Sequence, residues 1–168
     1  IWHEPTDNWV IVLHFDERAM GFFTSPDLKS WTFESEIELP NHLDMSDCPE
    51  LFQLPINGDD TRKKWILYGG SGAYLIGNFD GKSFKAEVGP IQFNHGNAFY
   101  ASQLFNNMPK GDPRKIQIAW GRVAMPNMPF NQQMLFPVEL SLRSTRAGLR
   151  IFAKPVREIE AIHRKRIE

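Results

Sequence analysis

The chain has 168 residues, 42% of them hydrophobic, with 19 lysine and arginine against 20 aspartate and glutamate, so it can build a real core and is not a disordered tail. The balanced charge leaves no basic stripe interleaved with aromatics and so no support for nucleic-acid binding. No apolar run reaches the roughly 18–20 residues that a membrane helix needs, and Cys48, the single cysteine, rules out an internal disulfide.

Thirteen phenylalanines and five tryptophans favour strands or a sugar-binding surface, and twelve glycines and twelve prolines indicate frequent turns. The chain starts at Ile1, directly before a strand-like run, and is expected to be an internal piece of a longer protein. Short runs of aromatic and β-branched residues then recur. Trp9–Phe15 is the first and ends at Asp16-Glu17-Arg18; Met20–Thr24 follows and is punctuated by Ser25-Pro26-Asp27. Trp31–Ile37 alternates apolar and polar positions, as a half-buried strand does. The later predicted strands are 50–54, 65–69, 74–79, 99–105, 116–120, 134–142 and 149–153. One helix is predicted, over 156–164, with Pro155 before its first turn and Val156, Ile159 and Ile162 on one side. Arg164, Lys165 and Arg166 read as a solvated tail.

Two stretches repeat one another. Each has a Trp-led strand (Trp9, Trp65), a turn, a second strand, and an Asp-containing turn closed by an aromatic that opens a third strand (Asp27 to Trp31, Asp80 to Phe84). The offset, about 53–56 residues, is near the period of large propeller blades, and Ile116–Trp120 opens a third unit. The expected fold is therefore all-β, part of a β-propeller. About three units do not close a propeller alone, which again marks a partial one.

The stretch richest in possible chemistry is Ser46-Asp47-Cys48-Pro49-Glu50-Leu51-Phe52. It sets two carboxylates three residues apart ahead of a strand. In extended backbone, positions i and i+3 point to opposite faces, so Asp47 and Glu50 need not share a site. Pro49 suits the start of a strand. The spacing fits a plain turn cap at Asp47 equally well.

Asp47-Cys48-Pro49-Glu50 resembles the Glu-Cys-Pro-Asp motif of glycoside hydrolase family 32, the invertases, levanases and inulinases. Other segments agree in order: Trp2 to Phe15 with Phe22 to Ser35, then 99–105, 116–122 and 134–143, the last resembling the family's Pro-Arg-Glu-Leu-Ser-Leu strand. The resemblance implies a five-bladed β-propeller with a funnel-shaped site on its axis, followed by a β-sandwich. Residues 1–154 would form roughly the last three blades, and 155–168 a short linker helix toward the sandwich. It also implies that the family's nucleophile motif, Trp-Met-Asn-Asp-Pro-Asn, and its Arg-Asp-Pro motif lie upstream of Ile1.

By the same resemblance, Asp47 is the acid/base of a retaining hydrolysis of β-fructofuranosyl bonds in levan, inulin or sucrose. Such chemistry needs one carboxylate to attack and a second to protonate the leaving oxygen and then activate water. The family has Glu at that position and Asp three residues later, so this chain has the two exchanged; Asp carries its carboxyl roughly 1–1.5 Å less far, and misplacement of about 1 Å can cost on the order of 100-fold in rate. Glu50 is expected to be structural. Trp120 and Tyr100 resemble funnel residues that hold the sugar, and Arg122, Asn94 and Cys48 complete the expected substrate-binding set. Ala98 stands where the family has an aspartate, whose polar contact would be lost or supplied by Asn94, His95 or Asn97. Arg122 is expected to donate to fructose hydroxyls, to pair with Asp47 or to form a surface salt bridge, and Cys48 to be a small buried hydrophobe rather than a reactive thiol.

No cofactor is expected. His3, His14, His42, His95 and His163 lack metal-ligand spacing. Gly69 to Gly72 leads into a strand and reads as a turn, not a phosphate cradle, and Ser71 has no triad partners nearby. The expected partner is a fructose-containing oligo- or polysaccharide, with neither nucleic acid nor membrane, in an extracellular or periplasmic setting implied only by the resemblance. The competing expectation is a propeller that binds fructans without cleaving them, or one that acts on another sugar.

Overall fold

The computed structural model describes residues 1–16, 18–39, 45 and 47–162. Its strands form three antiparallel meanders in chain order. The first is β1 (Trp2–His3), β2 (Asn8–Asp16), β3 (Ala19–Ser25) and β4 (Thr32–Glu38). The second is β5 (Glu50–Ile56), β6 (Asp59–Tyr68), β7 (Ala73–Phe79) and β8 (Phe84–Gln92). The third contains β9 (Phe99–Leu104), β10 (Lys115–Gly121), β11 (Gln133–Met134), β12 (Val138–Thr145) and β13 (Gly148–Pro155). Here β10 pairs with β9 on one edge and with both β11 and β12 on the other. The Leu135 amide still donates to the Ala119 carbonyl at 2.9 Å, while Pro137 has no amide to offer, so β11 and β12 are one interrupted strand. Each meander is thus a four-stranded propeller blade. A single parallel pairing, Leu142 with Ile56, joins β5, at the edge of the second blade, to the end of β12 that lies beyond its pairing with β10.

Alternation along the strands decides how the blades stack. On β2, Val10 and Val12 turn inward, and with Met20 and Phe22 they meet Leu51, Leu67, Leu75, Phe79 and Phe84 of the second blade. The opposite face of the second blade, carrying Phe52, Leu54, Ile66, Tyr68, Tyr74 and Ile76, meets Leu140, Leu142 and Ile151 of the third. The middle blade is therefore covered on both sides, and five consecutive residues of β7, Ala73 to Gly77, are buried. Buried side chains of this size each contribute roughly 1.5–3 kcal/mol.

The repeated aspartate turns are the hairpins between the third and fourth strands of the first two blades. Asp27 Oδ1 accepts the amides of Lys29 and Ser30, both at 2.8 Å, and Asp80 Oδ1 accepts those of Lys82 at 2.9 Å and Ser83 at 2.7 Å. These amides hold both carboxyls below their ordinary pKa. In the third blade Thr145 Oγ1 does the same work, accepting the Ala147 amide at 3.1 Å. The Asp80 turn also seals the first seam: Lys82 Nζ lies 2.9 Å from Glu34 Oε2, and the Ser35 hydroxyl donates to the Lys82 carbonyl at 2.7 Å.

Two elements differ from the sequence reading. The short β1 is an added strand, and the predicted helix over 156–164 is a 3₁₀ segment, Arg157–Ile162, with residues 163–168 outside those described. Val156 stays tied to the third blade through its amide to the Pro137 carbonyl at 3.1 Å, and Ile159 bonds back only three residues, to Val156. Val156 is buried but Ile162 is 69% exposed, so the apolar stripe loses its packing surface after one turn and too little remains to favour a full α-helix. Arg114 clamps this segment with a two-pronged contact to Glu158 at 3.1 and 2.8 Å. No described helix is long and apolar enough to cross a membrane.

Gly81 gives a direct test of the first seam. It sits at φ +99°, and a Cβ there would lie 2.6 Å from Thr6 Cγ2 and 2.8 Å from His3 Nδ1. Gly148, at φ +91°, has nothing closer than 3.6 Å. Gly148→Ala is expected to cost only the left-handed backbone term, about 1–2 kcal/mol, and Gly81→Ala about 1–3 kcal/mol more through overpacking. Chemical denaturation of the two variants side by side checks the difference.

Candidate active site

Asp47 stands at the head of β5, on the inner edge of the second blade, and is exposed. Asp47 and Cys48 both have left-handed backbone, φ 60° and 43°, a conformation that costs of order 1–3 kcal/mol for a residue with a side chain. The Gly-rich turn between β6 and β7 holds it in place: the Gly70 amide donates to the Asp47 carbonyl at 2.8 Å. A Cβ at Gly70 would lie 3.0 Å from that oxygen and 3.2 Å from Cys48 Cβ, so glycine permits the approach. The extended backbone assumed for 47–50 therefore begins only after Cys48, and Asp at 47 matches the left-handed region better than most side chains do.

Tyr100, 53 residues away, donates its hydroxyl to Asp47 Oδ2. It is aimed there by a bulge. Trp120 pairs with Tyr100 and Ile118 with Gln103, so Ala101 and Ser102 oppose Ala119 alone, and Ala101 adopts φ 48°. Such bulges turn a strand and re-aim its side chains. The Trp120 ring stands edge-on to Tyr100 with centroids 6.3 Å apart and is 37% exposed. Arg122 lays its guanidinium over the Tyr100 ring, 4.0 Å from the centroid. Four of the residues picked from the sequence, Asp47, Tyr100, Trp120 and Arg122, thus form one contiguous group at one end of the second and third blades.

Cys48 is half-buried beside the same turn. Burial, and then the charges of Asp47 and Glu50, push its thiol up, which makes it an inert thiol rather than a thiolate. Asn94 is engaged differently: its Oδ1 accepts from Gln92 Nε2 at 2.5 Å and its Nδ2 donates to the Gly96 carbonyl at 3.1 Å. His95 and Asn97 are exposed. Arg122 meets Ala98 through its backbone amide, 2.8 Å from the Ala98 carbonyl, and its side chain lies over the ring of Tyr100. Among the described residues no three of His, Cys, Asp or Glu gather to hold a metal ion; His42 and His163 lie outside the described residues.

Glu50 is separated from Asp47 by depth rather than by face. Both carboxyls reach toward β9, Asp47 to Tyr100 and Glu50 to the Leu104 amide, which donates to Oε1 at 2.8 Å. Glu50 Oε2 is buried with no hydrogen-bond partner. Burial raises the Glu50 pKa to about 7 against the opposing pull of the Leu104 amide and Lys115. It lines an open cleft of about 360 Å³ with Gln103 and Lys115, whereas Asp47, Tyr100 and Trp120 are not part of that lining. The sequence reading gave Ala101 and the titrating character of Glu50 no role. Carboxyl burial of this kind is invisible in a strand pattern, and a bulge residue other than glycine carries no composition signal.

The raised pKa of Glu50 fixes the sign of a pH effect. The unfolded chain loses this proton near pH 4.5 and the folded one near pH 7, so the contribution is fully present below about pH 4.5, falls as pH rises between the two values and levels off above 7. The swing is about 3 kcal/mol at most. Glu50→Gln should therefore flatten the loss of stability between pH 5 and pH 8, measured by denaturant unfolding at both pH values. An unchanged pH slope would remove Glu50 as its cause.

The geometry can be set beside known proteins. The description "Glycosyl hydrolases family 32 N-terminal domain" matches residues 1–155. The chain is 34% identical to a levanase of Bacillus subtilis (strain 168), over 96% of this chain and 27% of that protein. It is 30% identical to an extracellular exo-inulinase of Meyerozyma guilliermondii, over 71% of this chain and 25% of that protein. The solved fructofuranosidase of Schwanniomyces occidentalis, complexed with fructose, superposes with a TM-score of 0.78 at 25% identity, over 93% of this chain and 34% of that one. The chain thus spans about a quarter of the length of these curated relatives. Three consecutive blades and a family match running from residue 1 to 155 lead to one assignment: the chain belongs to glycosyl hydrolase family 32.

Proposed function

We propose that the protein containing this chain releases fructose from levan, inulin or sucrose by a retaining mechanism, with Asp47 as acid/base. The observation that carries this reading is the Asp47 carboxyl held by the Tyr100 hydroxyl beside the exposed ring of Trp120, in a chain of this family. The Tyr100 bond occupies Oδ2 and leaves Oδ1 to carry the proton toward the leaving oxygen. After the leaving group departs, the same carboxylate takes a proton from water. Trp120 supplies a flat apolar face on which the sugar packs. Cys48 and Asn94 shape the surroundings, Cys48 under Asp47 and Asn94 at the neighbouring turn.

The nucleophile is a carboxylate outside these residues, on an upstream blade, about 5–5.5 Å from Asp47 when the two are assembled. On this reading residues 1–154 are the C-terminal blades of the propeller and residues 155–168 lead toward a β-sandwich. The chain by itself then has little activity, because half of the carboxylate pair is missing. Action outside the cytoplasm fits the extracellular exo-inulinase among its relatives. Asp in place of the family's Glu favours one competing reading, a propeller that binds fructans without cleaving them.

Fructose release from levan, inulin and sucrose by the complete protein, native against Asp47→Ala, separates these readings. Loss of a general acid/base is expected to lower turnover on the order of 100-fold or more. A native protein that binds these sugars and cleaves none would establish the binding reading. Turnover that survives Asp47→Ala would remove Asp47 from the acid/base role.

A further inference from the structure

We propose that Arg122 is a positioning residue that acts on Asp47 through the ring of Tyr100; this rests on the reading of Asp47 as acid/base. The chain order of contacts is short and specific. Arg122 stacks on Tyr100 at 4.0 Å, and Tyr100 donates to Asp47 Oδ2. Arg122 extends the pairing of β9 and β10 by one step beyond Gly121 and Phe99, its amide bonded to the Ala98 carbonyl at 2.8 Å. Ala98 is the residue directly before β9 and stands opposite Arg122 in this extended pairing. With only a methyl group at 98, no charge stands there to hold the Arg122 side chain, which lies over the Tyr100 ring. An aspartate at 98 would capture the guanidinium as an ion pair before it got there.

The stack does two things. It fixes the ring from one face while Trp120 stands edge-on at 66°, so the phenol cannot swing away from Asp47. It also places a permanent positive charge against the π-face of the hydrogen-bond donor. The cation draws density from the ring, which strengthens donation by the hydroxyl to the Asp47 carboxylate. The other groups facing Asp47 work differently. Glu50, three residues along the same segment, has its pKa raised to about 7 by burial; Cys48 is a neutral thiol; and the Gly70 amide of the β6–β7 turn is bonded to the Asp47 main-chain carbonyl. Arg122 therefore restrains, through the ring, the hydroxyl that holds this carboxyl.

The test is the pH profile of kcat/KM for the complete protein on whichever of sucrose, inulin and levan it cleaves fastest, comparing native, Arg122→Met and Arg122→Lys. Methionine keeps the length of the stem and loses the charge. The alkaline limb, which reports the free enzyme's acid, is expected to move up by about 0.5 unit or more in Arg122→Met, with kcat lowered and KM within about twofold. Arg122→Lys keeps the charge without the planar stack and is expected to fall between the two. A limb that stays in place overturns the proposal, as does a rise in KM at unchanged kcat, which marks a direct sugar contact. Asp47→Asn run in parallel separates the two layers. If it retains turnover and the limb, the acid/base reading fails; if it abolishes turnover while Arg122→Met leaves the limb unmoved, the Arg122 inference alone fails. Titration of the Asp47 carboxyl carbon by NMR in native and Arg122→Met protein reads the same upward shift without needing turnover, and an unmoved titration overturns the inference on its own.

Discussion

A middle blade buried on both faces is the constraint from which the arrangement follows. Leu51 on β5 looks into the seam with the first blade, and Phe52, its neighbour, into the seam with the third. Since side chains alternate along a strand, a shift of one residue would exchange these two faces and expose both cores. The register of β5 is thereby fixed from both sides. Whatever precedes β5 by two or three residues is delivered to a set position, and what precedes it is Asp47.

The carboxyl at that position is governed by backbone as much as by side chain. Two left-handed residues turn Asp47 out of the line of the strand, and a glycine turn from the same blade supports the bend. The partner that receives the carboxyl belongs to the next blade, where a bulge at Ala101 turns Tyr100 toward it. Two local departures from regular strand geometry, one in each blade, therefore meet at one hydrogen bond. Regular strands hold the blades together, and the irregular residues at their inner ends build the candidate site, a division common in folds whose function sits on a rigid scaffold.

Much of the fold is readable in the sequence because strand burial has a period of two and the hairpin turns are chemically explicit. Asp27 and Asp80 announce their turns through the amides they accept, and the following aromatics mark where the next strand opens. The helix over 156–164 is not readable in the same way, since its stripe of Val156, Ile159 and Ile162 is real but Ile162 meets no core. For the site, residue types and family motif bring out Asp47, Tyr100, Trp120 and Arg122. Their contacts are a different matter. The bond from Tyr100 to Asp47 spans two blades, and Arg122 lies over a Tyr100 ring set beside a one-residue bulge. Neither the pairing nor the partner chosen by Arg122 follows from spacing, and the titration of Glu50 depends on a depth of burial that strand alternation does not encode.

The left-handed backbone at Asp47 also bears on how this motif changes over time. Aspartate tolerates that conformation better than glutamate, while position 50 lies in an extended strand that accepts either. An exchange of the two carboxylates therefore places the shorter side chain where the chain bends and the longer one where it runs straight. Glutamate at position 47 alone would lengthen the side chain by a methylene and load the bend at the same time. The two positions are coupled through main-chain geometry: the choice of carboxylate at 47 carries a backbone cost that the choice at 50 does not.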